Sequence, residues 1–390
     1  MKEMQLIEVT DKTTEKQFLD VARVIYKDDL VWVCPLDMDI RKIFNPKLNA
    51  FYKDGTAIRW VLKDDQGKLT GRIAAFYNKN KAYRYQQPTG GAGFFECINN
   101  QEAANTLFDA ARDWLDRQGM EAMDAPVNFG ENDNFWGLLV EGYTHPAYGM
   151  PYNHAYYQEL FENYGFKPYF TQITKHLDLK VPFPDRFWKI AEWVNKRPGY
   201  SFRHFTYKEA DRFIQDLKEI YDQAWVNHEH FVPLDIDVAK RELESAKPIL
   251  EEEFIWFVYH EDKPVAFFVM YPDANMIFRH FNGKMNFWNK LMFLYYKRTK
   301  EITRLRQTMM GIVPKFQGSG LESAIFWHLQ KPVLVKRPHI TEMELSWVGD
   351  FNPKMMATLE AVGAKPGKKH ITYRRLFKDD ATFQQAKKIV

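Results

Sequence analysis

The order of elements legible between residues 14 and 166 recurs between residues 209 and 377, and this repeat constrains the fold more than any bulk property of the chain. In the first half, Phe18, Val21, Ala22 and Ile25 recur at helical spacing within residues 14–26. Two β-rich runs, 58–62 and 71–76, flank the polar, glycine-containing stretch 63–67, the pattern of a hairpin. Gly90-Gly91-Ala92-Gly93 precedes a strand rather than a helix and reads as a hairpin turn. A strand at 94–98, Asn99-Asn100 and a helix at 102–118 follow, with Ala104, Leu107, Phe108, Ala111, Trp114 and Leu115 on one face and Gly119 as its stop. A strand at 120–127, a polar loop at 128–134 and a helix near 156–164 complete this half. The second half offers helices at 209–225 and 235–247 and strands at 254–259 and 265–271. It continues with a strand at 309–313, a loop at 314–320, a helix at 321–329, a strand at 341–347, a helix at 353–362 and a last strand at 372–377. The aromatic-rich stretch 286–298 is also predicted helical, and its few charges predict that it packs against the protein.

A chain of 390 residues exceeds what one core usually serves, so the repeat is read as two domains. Pro182, Pro184 and Pro198 interrupt regular structure, which places a connection at 181–199 between domains at 1–180 and 200–390. The predicted class is α/β in the α+β sense, each domain a mixed, largely antiparallel sheet flanked by helices. Lys and Arg number 54 against 51 Asp and Glu, so the whole chain has no strong field to draw nucleic acid or a membrane surface, and neither is an expected partner. Cys34 and Cys97 stand far apart, without metal-ligand spacing; this predicts free buried thiols, a reducing compartment and no metal site. The opening residues Met1 to Gln5 lead into a charged segment instead of an apolar signal core, and no apolar run approaches the roughly 18 residues of a membrane span, so a cytoplasmic location is expected.

The most informative segment runs Gly311-Ile312-Val313-Pro314-Lys315-Phe316-Gln317-Gly318-Ser319-Gly320-Leu321-Glu322. A strand feeding a glycine loop and then a helix aims free N–H groups and a positive dipole end at one place, which suits an anion. Gly318 and Gly320 allow close backbone approach; the alternative is a plain strand-to-helix turn. The segment is neither a Walker A loop nor a GxGxxG fingerprint. Here the sequence resembles the GNAT superfamily of N-acetyltransferases, whose signature is a strand ending in V-x-P and then [Q/R]-x-x-G-x-[G/A] opening a helix. Gln317, Gly320 and the Val313-Pro314 lead-in match, and Glu322 stands where the signature has a small residue. Downstream, 344–347 looks like the fifth GNAT strand and 352–363 like its N-x-x-A helix, with Leu359 where a tyrosine is common. The resemblance covers roughly residues 200–378 and, more weakly, 5–178, where Asn99-Asn100-Gln101 replaces the glycine loop. As a whole the chain resembles bacterial tandem GNAT-like proteins more than any enzyme of known substrate.

The resemblance implies acetyl-CoA or another acyl-CoA as co-substrate, held by Ile312, Val313, Gln317, Gly318, Ser319, Gly320, Leu321 and Asn352. Glu344 is the catalytic candidate, accepting an amine proton if it faces a cleft; the alternative is a solvated strand carboxylate. His145, Tyr148, Tyr152, His154 and Tyr156 could line an acceptor pocket or serve packing and turns, and Asn128, Asn132 and Asp133 could bind substrate or their own backbone. The leading functional expectation is an acyl-CoA-dependent N-acyltransferase acting on a small-molecule or peptide amine. The alternatives are a non-catalytic coenzyme A or small-ligand module, and aminoacyl transfer of the tandem-GNAT type, for which a tRNA donor would favour a basic stripe.

Overall fold

The computed structural model describes residues 4–132, 134–226, 232–378 and 381–386. The chain divides into two compact units, and neither is one continuous stretch: unit 1 comprises Met1–Ile173, Ile277–Tyr295 and Lys368–Ala386, and unit 2 comprises Thr174–Met276 and Tyr296–Gly367.

Unit 1 contains strands β1 (Gln5–Glu8), β2 (Gly55–Lys63), β3 (Leu69–Asn78), β4 (Thr89–Cys97), β5 (Ala122–Ala125), β6 (Leu138–Glu141) and the start of β7 (Lys167–Asp178). Strands β1 to β4 pair antiparallel in sequence order, whereas β4 and β5 are parallel. Side chains alternate between sheet faces with a period of two, and the two cores of this unit follow that rule. Trp60, Leu62, Ile73 and Ala75 pack under the helix Gln101–Arg117, while Val61, Ala74 and Phe76 pack under the helix Lys12–Ile25. Asp11 starts the latter helix with a capping box to Thr14, and Asn100 starts the former by accepting the Ala103 N–H at 2.8 Å.

Gly90, Gly91, Ala92 and Gly93 are not a turn: they lie buried inside β4. A Cβ on Gly90 would meet the Leu115 side chain at 2.4 Å, and one on Gly93 would meet the Val127 carbonyl at 1.8 Å. The glycines admit close neighbours on both sides of the strand.

Unit 2 contains β8 (Tyr200–His204), β9 (Ile255–His260), β10 (Lys263–Pro272), β11 (Arg304–Ile312) and β12 (Glu342–Gly349) in the order β12-β11-β10-β9-β8, with residues 174–178 of β7 beside β12. The pairs β8/β9, β9/β10 and β10/β11 are antiparallel and β11/β12 is parallel. Phe187 and Val194 of the helix Asp185–Asn195 join Trp256, Val258, Phe268 and Ile325 in one core, and Phe213 and Ile220 of the helix Ala210–Ala224 join Phe257 and Phe267 in the other. The stretch expected as a connection thus carries a helix that is part of this unit's interior.

The last strand, β13 (Lys365–Leu376), was expected to end the second domain, yet its residues from Lys368 onward belong to unit 1, between β5 and β7 in that unit's sheet. It pairs antiparallel with β5, Tyr373 opposite Ala125 and Arg374 opposite Asp124. The Arg374 guanidinium donates to Asp124 at 2.6 and 2.8 Å and lies over the rings of Tyr85 and Tyr169. A bidentate, buried ion pair fixes register strongly, because a slip by one residue would strand both charges. Cys34 and Cys97 are free and buried, and burial pushes their thiols up to about 11 and about 12. Among the described residues no group of three or more potential metal ligands occurs, and no helix is long and apolar enough to cross a membrane.

Candidate functional site

The central feature of unit 2 is a fork. Strands β11 and β12 pair at Arg304 with Glu342, Leu305 with Met343 and Arg306 with Glu344. Just beyond, the register of β11 on β10 passes from Gln307 opposite Met270 to Met309 opposite Val269, leaving Thr308 as an extra residue. Such a bulge bends its strand and sharpens its twist, and the paired residues of β11 and β12 end beside it, at Arg306 and Glu344. The Gln307 side chain accepts the Ser346 N–H at 2.9 Å, standing in for a ladder bond at the mouth of the fork. Thr308, Met309 and Met310 on one prong and Ser346 and Trp347 on the other stay half-buried.

The β11 prong ends in the glycine loop. Val313 still donates to Val265 of β10 at 2.9 Å, and a short 3-10 turn, Pro314–Phe316, follows. Gln317 Nε2 donates to the Ile312 carbonyl at 3.1 Å and Ser319 Oγ to the Phe316 carbonyl at 2.5 Å, so both side chains shape the loop from within. Gly318 has φ of 71° and open space where a Cβ would stand. Gly320 also has positive φ, but a Cβ there would lie 2.5 Å from Ile190 Cγ2. Its glycine is demanded by the neighbouring helix Asp185–Asn195, a packing reason that the sequence alone does not reveal. The helix Leu321–Leu329 starts at Gly320 with no side-chain cap, and in its first turn the Glu322 carboxylate accepts from its own backbone N–H. Leu321 itself is core. Glu322, in that first turn, is half-buried, and desolvation raises its carboxyl above the ordinary value.

Glu344 stands at the closed end of the fork and is 6% exposed, so it is not a solvated strand carboxylate. Its Oε2 lies 3.9 Å from Arg304 Nη1, while Arg304 is held chiefly by Asp273, at 2.7 Å through Nε and 2.5 Å through Nη2. Burial disfavours the Arg304 cation, but Asp273 and Glu344 outweigh it and raise its pKa. Ile312 lies six residues beyond Arg306 along β11, so the loop and Glu344 are separated by about 20 Å of strand. Only an extended ligand would span both. Asn352 sits elsewhere in role: it caps the helix Pro353–Ala361, accepting the Met355 N–H at 3.2 Å, and Leu359 is core. Gln307, Thr308 and the Arg304/Asp273 pair escaped the sequence reading. Polar residues in otherwise buried strands are the one local signal for them.

Unit 1 has the same parallel start, Thr89 to Gly91 against Ala122 to Asp124, but no open prongs. Val127 donates to the Ala92 carbonyl at 2.9 Å, Cys97 N–H donates to Tyr157 Oη at 2.9 Å, and Tyr156 Oη donates to the Cys97 carbonyl at 2.7 Å. Glu96 accepts from Tyr26 and Tyr157 at 2.6 and 2.9 Å and pairs with Arg72 at 3.3 Å; burial raises its carboxyl despite the arginine. The stretch 143–157 is tied into the unit by Tyr148 to Asp39 and Tyr152 to Asp29, and His145 Nδ1 lies 2.8 Å from the Val31 carbonyl, which favours its packing reading. Asn128 is buried, Asn132 accepts from Gln172, and Asp133 lies outside the described residues.

No protein-family model matches the chain. It is 25% identical over 376 residues to Protein YghO of Escherichia coli (strain K12), spanning 94% of this chain and 93% of that one. It is 26% identical over 386 residues to the bacterial ceramide synthase of Caulobacter vibrioides (strain NA1000 / CB15N), spanning 95% and 96%. Among solved structures, the tandem GNAT protein from the clavulanic acid biosynthesis pathway superposes with a TM-score of 0.58 at 13% identity, covering 97% of this chain and 100% of that one. That likeness shows the fold, which is that of tandem GNAT proteins, as the residues around Gly320 led us to expect.

Proposed function

We propose that this protein is an N-acyltransferase that moves an acyl group from a coenzyme A thioester to an amine, with unit 2 holding the thioester. The observation that carries this reading is the fork between β11 and β12, which opens after Arg306 and Glu344 and leads to Gly318 and an uncapped helix start. Coenzyme A has an extended arm with two amide groups and ends in a pyrophosphate. Strand edges suit the amides and a helix N-terminus suits the phosphates. Thr308 to Met310 and Ser346 to Trp347 would hold the arm, and Gly318 with the N–H groups of Leu321 to Ser323 the phosphates. The thioester supplies an activated acyl carbon. The protein's share is to place the amine, exclude water and take up the amine proton, a role that falls to Glu344 beside Arg304.

The relative named as a ceramide synthase supports one choice of acceptor to test first. Ceramides are amides of long-chain amino alcohols, so that name denotes acyl transfer to an amine nitrogen, and a long-chain amino alcohol is the first acceptor to test. A second reading, a coenzyme A module without chemistry, is favoured by Glu322, whose carboxylate stands in the helix turn that would meet phosphate. The deciding experiment presents purified protein with acyl-CoAs of graded chain length and a panel of amines, reading thiol release and amide formation. Amine-dependent thiol release is expected. Calorimetric binding of coenzyme A without release on any amine moves the protein to the second reading, and absence of binding removes both.

A further inference from the structure

The helix Phe287–Arg298 carries apolar side chains on its exposed side as well as on its buried one. Phe293 packs on Phe278, ring centroids 5.9 Å apart, and is buried. At about 100° per residue, Asn289, Phe293 and Tyr296 share one stripe, and Phe287, Leu291 and Leu294 lie on the opposite side with Trp288 adjoining. Those outward positions should be polar on a water-facing helix. Instead Phe287 and Trp288 are 67% and 72% exposed, and Leu291, Met292 and Leu294 are exposed with them. Scattered exposed apolar residues need no account; five within eight residues on one helix do.

Charge identifies what covers this face. Between Ala274 and Lys300 the chain carries Arg279, Lys284, Lys290, Lys297, Arg298 and Lys300 and neither Asp nor Glu, although the whole protein is nearly balanced at 54 basic and 51 acidic residues. We propose that the helix Phe287–Arg298 seats the protein on an anionic phospholipid surface, its apolar face entering the headgroup boundary and Lys290, Arg298 and Lys300 meeting lipid phosphates. Exposed Trp, Phe and Leu with flanking cations are the composition of interfacial helices. The helix has 12 residues and is thus about 18 Å long, too short to span a bilayer, so it lies in the plane of the surface. A second copy of the chain fits less well, because a two-fold interface sets a patch against itself and would oppose these cations to one another. The whole-chain charge balance, which argued against a membrane partner, conceals this local asymmetry.

The test is sedimentation of the full-length protein with vesicles of phosphatidylcholine alone or mixed with phosphatidylserine, at low and high salt. Wild type is expected to favour the serine-containing vesicles roughly tenfold or more, the preference falling with salt. The double substitution Trp288→Ser with Leu291→Ser should lose binding to both vesicles. Lys290→Glu with Arg298→Glu should lose the anionic preference, at about fivefold per residue. These side chains are exposed, so circular dichroism and Tm should match wild type. Wild type left in the supernatant with both vesicles overturns the proposal, as does undiminished binding by the Trp288/Leu291 variant. So does light scattering that shows a wild-type dimer which the same variant converts to monomer. None of these readouts depends on acyl transfer.

Discussion

Units 1 and 2 each set a strand, a short connection and a helix beside a parallel neighbour, and they treat the resulting gap in opposite ways. In unit 1 the backbone of β4 is claimed by the protein itself: Val127 takes Ala92, two tyrosines take both polar groups of Cys97, and Asn100 caps the helix. In unit 2 the prongs part at a bulge, a glutamine side chain bridges the mouth, and the helix begins at a glycine without a cap. The difference teaches that a GNAT-like scaffold does not by itself make a site. The proposed site adds to that scaffold backbone polarity left unspent in a place that stays partly solvated. Glu96 accepts from two tyrosines and pairs with Arg72, and Glu344 lies 3.9 Å from Arg304, which Asp273 also holds.

That contrast can be broken most visibly at Glu96. Replacing it with Ala leaves the Arg72 guanidinium, 3% exposed, without its partner, which should cost about 3–5 kcal/mol in urea unfolding while the folded fraction keeps its turnover. A loss of turnover in folded protein would mean that unit 1 takes part in the chemistry. Next in size, Glu344→Gln should lower turnover about a hundredfold or more with acyl-CoA affinity unchanged. Turnover near the wild-type rate would reduce Glu344 to a positioning partner of Arg304.

Gly318 sharpens the comparison at the loop. Because its Cβ direction is open and Asp and Asn tolerate positive φ, Gly318→Asp should fold, yet weaken calorimetric coenzyme A affinity by about tenfold through charge repulsion. Gly318→Asn, which keeps the shape without the charge, should bind nearly as wild type, and equal weakening by both would point to loop distortion. Gly320→Asp is a poor substitute, since its side chain would strike Ile190. The smallest effect belongs to Glu322. Its folded pKa is raised by burial, so the wild type loses stability as pH climbs from the ordinary 4.5 through the folded value, and a glutamine does not. Glu322→Gln should therefore melt slightly higher than wild type at neutral pH and equal to it in acid. A gap that is constant with pH would show that the carboxyl is not desolvated.

Local signals carried much of this architecture. The helix after Gly320, the strand around Leu345 and the repeated element order were legible because period and turn chemistry are written over a few neighbouring residues. Gly90 to Gly93 misled, since small residues in a buried strand and in a turn look alike until Leu115 and Val127 are seen against them. The helix Phe287–Arg298 was legible as a helix but not in its orientation. It carries apolar residues on both sides, and periodicity cannot tell which side a protein leaves uncovered. The placement of β13 was beyond local reading altogether, because no residue near Tyr373 announces a partner at Ala125.

That distant pairing has a consequence for the birth of the chain. The partner of β5 is synthesised roughly 250 residues after β5 itself, which at about 5–20 residues per second is some ten to fifty seconds of translation. Throughout that interval the edge of β5 is open and Asp124 lacks its cation. Unit 1 therefore cannot be finished in the order in which it is made, and must wait on the ribosome for a strand encoded far downstream. Such a nascent intermediate offers an unpaired edge to any neighbouring strand, so chaperone dependence during expression should rise with slower elongation and fall when a separately supplied peptide spanning residues 368–386 is present.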